Sequence, residues 1–177
     1  MIFAPTRLTD AWLIELEPRA DVRGFFTRAY CEQELLRHGL DTSWKQINHS
    51  YSALPGTLRG MHYQSGANAE NKLVRCLHGA VYDVIIDLRS SSPTRHQWLS
   101  VGLDANRPRW LYVPKCFAHG FLTLTPGVEM EYMVSCEYAT EAQGGVRYND
   151  PHFNIVWPRQ VEIISPQDAA WPDFASC

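Results

Sequence analysis

TLRGMHYQSGANAENKLVR, residues Thr57 to Arg75, sets four polar side chains, Arg59, His62, Gln64 and Lys72, among short apolar runs. Read as two strands joined by the polar loop from Ser65 to Asn71, the stretch alternates. Burying Arg59 or Lys72 without an anionic partner is costly. Their presence in half-buried strands therefore points to a pocket that receives negative charge. His62 lies between them, and imidazole is the side chain that changes charge near neutral pH, which makes it a candidate proton acceptor.

Outward from this stretch the chain is punctuated in the same way. Apolar runs of strand length recur at Trp12 to Glu17, Trp44 to Ser52, Ala80 to Leu88, Gln97 to Leu103, Arg109 to Val113, Phe117 to Leu124, Val128 to Val134 and Asn154 to Trp157. DVRGFF, Asp21 to Phe26, reads as a turn into a further strand. Between the runs stand turn signals such as Pro55-Gly56, His78-Gly79, Pro126-Gly127 and Gly144-Gly145. Many short strands at this spacing predict an all-β antiparallel sandwich or barrel rather than a β-α-β fold. CEQELLRH, Cys31 to His38, predicts a helix with Leu35 and Leu36 inward and Gly39 as its stop. A short helix is expected near Asp168. No repeat or linker divides the 177 residues, so one domain is expected.

Composition narrows the function. Apolar residues make up 45% and charged residues 20%, ordinary for a globular chain. The net charge of −3 supplies no field for nucleic acid or an anionic membrane, so an anion site must be local. No run reaches the roughly 20 apolar residues of a membrane span. The start, MIFAPTRLTDAW, lacks the zones of a signal peptide, and the five cysteines show no zinc spacing. Reduced thiols and a cytoplasmic location are expected, with Cys76, Cys116 and Cys136 as core filler.

A small β-barrel with inward polar residues resembles the cupin jelly roll, whose metal centres use HxH, a Glu and a later His. Here the first element reads His62-Tyr63-Gln64, and PKCFAHGF supplies His119. Gln64 is a poor transition-metal ligand, so a metal-free pocket is expected. The resemblance becomes specific through DVRGFF, QINHS, TLRGMHYQ, KLVR, GAVYDVIIDLRSSSPT, PKCFAHGF, the Tyr132 and Tyr138 pair, YNDP, and WP followed by SPQD. In this order, over most of the chain, they are similar to the dTDP-4-dehydrorhamnose 3,5-epimerase family of nucleotide-sugar epimerases.

That resemblance implies a cupin-type jelly roll and an isomerase of deoxysugar biosynthesis, without cofactor or metal. Its substrate would be a nucleoside-diphosphate 4-keto-6-deoxyhexose. It implies His62 as the base, Asp168 as the carboxylate that holds it, Lys72 at the enolate oxygen and Tyr132 as the acid on the far face. Asp83 would hold His119 or serve the fold. Arg23, Gln46, Asn48, Arg59, His119 and Tyr138 would bind substrate. Departures fall at Arg28 and Gln143, where the family often has Glu, and at Gln167, where Lys is frequent. These are expected at the rim, where they would set specificity. The family's dimers exchange N-terminal strands, which would let Arg23 act in trans. Alternatives remain: inversion at C3 or C5 alone, a GDP- or CDP-linked sugar, a metal-dependent cupin, or a sugar-nucleotide binding protein without catalysis.

Overall fold

A computed structural model describes residues 1–174; Cys177 lies outside them. In chain order the elements are β1 (Ile2–Pro5), β2 (Trp12–Glu15), β3 (Arg19–Asp21), β4 (Gly24–Phe26), α1 (Glu32–Arg37), β5 (Gln46–Ser52), β6 (Thr57–Gln64), β7 (Lys72–His78) and β8 (Ala80–Asp87). There follow β9 (Trp98–Asp104), β10 (Arg109–Val113), β11 (Phe117–Thr123), β12 (Val128–Val134), β13 (Gln143–Gly145), β14 (Ile163–Ile164) and α2 (Pro166–Ala169).

Two sheets face each other. One runs β1-β2-β10-β7-β12-β5 and the other β13-β6-β11-β8-β9, with β14 added parallel to β6. Val74, Cys76, Leu111, Val128 and Met130 of the first sheet pack against Val81, Ile85, Leu103, Phe117 and Phe121 of the second. This is the expected all-β sandwich, of cupin jelly-roll type. The β3–β4 hairpin stands outside both sheets.

Strand β5 is turned inside out. Its exposed face holds Ile47 and Tyr51, 65% and 59% exposed. The inward face holds Gln46, Asn48, Ser50 and Ser52, beside Val134, Tyr132, Met130 and Val128 of β12. A strand that lines a solvated cleft rather than a core places its polar residues there.

The second device is a bulge in β6. His62 lies opposite His119 of β11, yet Arg59 lies opposite Phe121, so three steps on β6 match two on β11. Strict alternation would send Arg59 and His62 to opposite faces; the extra residue returns both to one face. The bulge brings Gly60, at φ +123°, against Gly120 of β11.

Several sequence readings need correction. Asn154 to Trp157 is not a strand, although Phe153 and Ile155 are buried against the outer side of β6, β8 and β11. Leu36 is 57% exposed, and Leu35 alone of the pair is buried. Cys76 is buried, but Cys116 and Cys136 are only half-buried. Gly144-Gly145, read as a turn, pairs with Tyr63 and His62 as part of β13. Here glycine permits strand pairing, because the Tyr63 and Trp171 rings occupy the space of any Cβ.

Gly60→Ala is expected to destabilise the fold by about 2 kcal/mol or more, since the new Cβ meets the Gly120 Cα at 2.5 Å and no side chain can yield. A urea titration against wild type measures it; an unchanged midpoint would contradict the close approach.

Candidate active site

The bulge directs His62 into a cavity of about 470 Å³ between the sheets, with Arg59, Lys72, His119, Tyr132 and Asp168 on its walls. A second cavity of about 440 Å³ shares His62, Lys72 and Tyr132 with the first and adds Gln46, Asn48, Glu70, Tyr138 and Gln143. The shared residues come from both sheets: His62 from β6, Lys72 and Tyr132 from the facing β7 and β12.

α2 closes this space from the side. Pro166 occupies its first turn, and the Ser165 hydroxyl accepts the Asp168 N–H at 3.0 Å, a short N-terminal cap. Asp168, 5% exposed, is thereby fixed against β6. Its Oδ2 accepts the Gly60 N–H at 3.1 Å, and its Oδ1 lies 2.6 Å from His62 Nε2. Burial pushes the Asp168 carboxyl up, but the His62 and Gly60 hydrogen bonds outweigh it and hold the group below the usual carboxylate range. An ionised Asp168 accepts a hydrogen bond from a protonated His62 Nε2, which leaves Nδ1 as the basic nitrogen.

Opposite, the Tyr132 phenol is pushed up chiefly by burial; Arg59 opposes and Glu70 adds to the shift. It stays protonated at neutral pH. Lys72 Nζ lies 3.3 Å from Glu70 and 3.4 Å from the His62 carbonyl. His119 Nε2 lies 3.0 Å from both oxygens of Asp83, which is fully buried. Burial pushes the Asp83 carboxyl up, against the pull of His119 and Lys72. Of the two readings for Asp83, the geometry is that of a residue holding His119. The Arg59 guanidinium is braced by the Ser52 hydroxyl at 3.1 Å and the Tyr51 carbonyl at 2.9 Å.

The remaining expected residues divide. Gln46 and Asn48 line the second cavity, and Gln46 Oε1 accepts the Tyr138 N–H. Gln143 and Gln167 meet each other: Gln167 donates to Gln143 Oε1 at 3.3 Å, and the Tyr138 hydroxyl donates to the same oxygen at 2.9 Å. Arg23 is paired with Asp21 at the tip of the β3–β4 hairpin and lines neither cavity. Arg28 pairs with Glu34 and lines a separate pocket with Met1 and Glu17, so within one protomer it is not at the rim of the His62 cavity. Among the described residues, no group of three or more His, Cys, Asp or Glu gathers as metal ligands.

Sequence reading missed Glu70 and Ser50. Ser50 could have been found from the period of two along QINHSYS, which puts it on the face of Gln46 and Asn48. Glu70 sits in an irregular loop and gave no periodic signal.

Residues 5–176 match the family described as dTDP-4-dehydrorhamnose 3,5-epimerase. The chain belongs to this family. The enzyme of that name from Salmonella typhimurium is 41% identical, with 97% of this chain and 94% of its own length covered. A dTDP-4-dehydrorhamnose 3,5-epimerase from Bacillus anthracis, solved with TDP and PPi bound, is 43% identical at a TM-score of 0.95, covering 98% and 99% of the two chains. The Legionella pneumophila enzyme in complex with dTDP-4-keto-L-rhamnose is 33% identical, with a TM-score of 0.89 and 99% of each chain covered. ChmJ, a 3'-monoepimerase from Streptomyces bikiniensis in complex with dTDP-quinovose, is 32% identical at a TM-score of 0.88, covering 96% and 86%.

The depressed Asp168 carboxyl predicts a pH signature. Its stabilising effect is present above the ordinary aspartate value of 3.8 and is lost as pH falls through the lower folded value. Asp168→Asn should therefore cost about 1–3 kcal/mol at pH 7, by loss of a charged buried hydrogen bond. The gap should narrow below pH ~4. Thermal melts from pH 7 to 3 measure it; a gap that stays constant would contradict an ionised Asp168.

Proposed function

We propose that this chain inverts C3 and C5 of a dTDP-linked 4-keto-6-deoxyhexose, in the route to dTDP-rhamnose. The enzyme is an isomerase acting on a carbohydrate. The observation that supports this reading most is the placing of a carboxylate-held imidazole and a protonated phenol on facing sheets of one cavity.

The chemistry follows from the ketone. A carbon beside it loses its proton to a base if the resulting enolate oxygen is stabilised. His62 Nδ1 takes that proton, and Asp168 steadies the imidazolium that forms. Lys72 and His119, which both line the first cavity, supply positive charge or an N–H to the enolate oxygen. Tyr132 then delivers a proton from the opposite sheet, and a proton returned from the other face inverts the centre. The reaction is redox-neutral, and this scheme routes no step through a cofactor or metal. Arg59 binds the diphosphate, with a planar guanidinium suited to two phosphate oxygens, and Gln46 and Asn48 contact the sugar or a phosphate. Tyr138 lies beside the base, and the Gln143–Gln167 contact is a neutral rim that sets specificity.

The acting unit is a single domain, working in the cytoplasm with reduced thiols. No helix among the described residues is long and apolar enough to cross a membrane. The working assembly is a homodimer that exchanges N-terminal strands. Val22, Phe25 and Phe26, on a hairpin belonging to neither sheet, are 104%, 64% and 76% exposed. Covering them with a second copy would bring Arg23 towards the partner's cavity. Sedimentation equilibrium should give twice the chain mass; a monomer at micromolar concentration would refute the exchange.

Incubation of dTDP-4-keto-6-deoxyglucose in D2O, followed by NMR, tests the reaction. Deuterium should enter at both C3 and C5; label at one carbon would mean a mono-epimerase, and none would overturn the reading. His62→Ala should lose about 10³-fold or more in exchange. Tyr132→Phe should keep exchange within about tenfold while net inversion falls by roughly 10²-fold.

A further inference from the structure

Glu70 is a half-buried carboxylate that the proposed chemistry leaves unused. It stands two residues before Lys72, at the end of the loop that joins β6 to β7. Both side chains are 10% exposed, and Glu70 Oε1 lies 3.3 Å from Lys72 Nζ. The other carboxylate oxygen accepts the Gln64 side-chain N–H at 3.1 Å. Gln64 is itself 4% exposed and anchored on three sides. Its Nε2 shares two hydrogens among Glu70 and the Asn68 and Glu137 carbonyls, both at 3.2 Å, and its Oε1 accepts the Ala139 N–H at 2.7 Å. Glu70 is thus held by a rigid amide, and Lys72 is held by Glu70.

Among the described residues the ammonium has one further protein acceptor, the His62 carbonyl at 3.4 Å. It therefore hangs between β6 and Glu70, on the wall common to both cavities. A flexible four-carbon stem without such a partner has many rotamers, few of which place the charge at one point. A carboxylate here also opposes the negative charge of an enolate. Its presence in the site is accounted for if fixing the ammonium outweighs that repulsion.

We propose that Glu70, braced by Gln64, is a positioning residue that sets where the Lys72 ammonium meets the enolate oxygen. The inference rests on the epimerase reading above. Glu70 does not touch the reacting carbons; it acts through Lys72.

The test uses the full chain and the exchange reaction of dTDP-4-keto-6-deoxyglucose in D2O, with Glu70→Ala, Glu70→Gln, Lys72→Met and the Glu70→Ala/Lys72→Met double variant. Glu70→Ala should lower kcat for exchange by about 10–100-fold with a smaller change in KM, the scale of a misplaced catalytic group. Added formate should restore part of that loss, and Glu70→Gln, which keeps one acceptor, should lie between Ala and wild type. The double variant should be no slower than Lys72→Met alone. A folded Glu70→Ala that exchanges at the wild-type rate, or a double variant with fully additive losses, would overturn the proposal. Lysine ¹H–¹⁵N NMR without substrate gives an independent readout. The Lys72 ammonium signal should move in Glu70→Ala and stay in Glu137→Gln, and an unmoved signal would overturn the proposal. A wild-type protein that exchanges nothing would overturn the epimerase reading instead, with the NMR result still deciding the role of Glu70.

Discussion

The contact between His62 Nε2 and Asp168 Oδ1 joins two residues 106 positions apart. It ties a strand in the middle of one sheet to a four-residue helix near the end of the chain. That helix is too short to stand by itself, and its place depends on the Ser165 cap, on β14 lying parallel to β6, and on the Gly60 N–H that meets the same carboxylate. The same bond fixes the tautomer of the imidazole and so decides which nitrogen faces the cavity. Fold and chemistry are joined at one carboxylate, held below its ordinary range because two donors outweigh its burial.

The rest of the site follows from how two regular patterns are broken. β6 contains one residue more than its neighbour, and this returns Arg59 to the side of His62. β5 reverses the usual polarity of a sandwich strand, and this gives the cleft its amides and hydroxyls. Without the first, the Arg59 guanidinium and the His62 imidazole would lie on different faces of the sheet. Without the second, apolar side chains would fill the cleft. Around the cavities Lys72 is paired with Glu70, His62 with Asp168 and His119 with Asp83, while Arg59 is held by the Ser52 hydroxyl and the Tyr51 carbonyl.

Much of this was legible in the sequence because it depends on local pattern. Alternation and turn residues located the long strands, and RGMHYQ with KLVR placed the cationic and imidazole groups on them. What escaped depends on tertiary context. β1 is four residues ending in proline and exists by pairing with β2. Gly144 and Gly145 have no strand propensity, and they pair because aromatic rings cover them. Asn154 to Trp157 has the apolar content of a strand, yet it packs on the outside of the sheet without joining it. Glu70 could not be found from periodicity, since a loop has none, and its meaning appears only with Gln64 and Lys72 around it. Arg23 and Arg28 pair with Asp21 and Glu34 and line neither cavity, which no local pattern in the sequence foretells.

The reversed polarity of β5 has a consequence for how such a protein can change. Gln46, Asn48 and Ser50 are half-buried on the wall of the cleft, outside the apolar cluster between the sheets. Exchanging them changes the lining of the cleft while Val128, Met130 and the facing aliphatic residues keep the two sheets together. A wall of this kind puts the surface of a cavity and the cohesion of the fold on adjacent strands, so the cavity's chemistry can be altered by a few substitutions that folding tolerates.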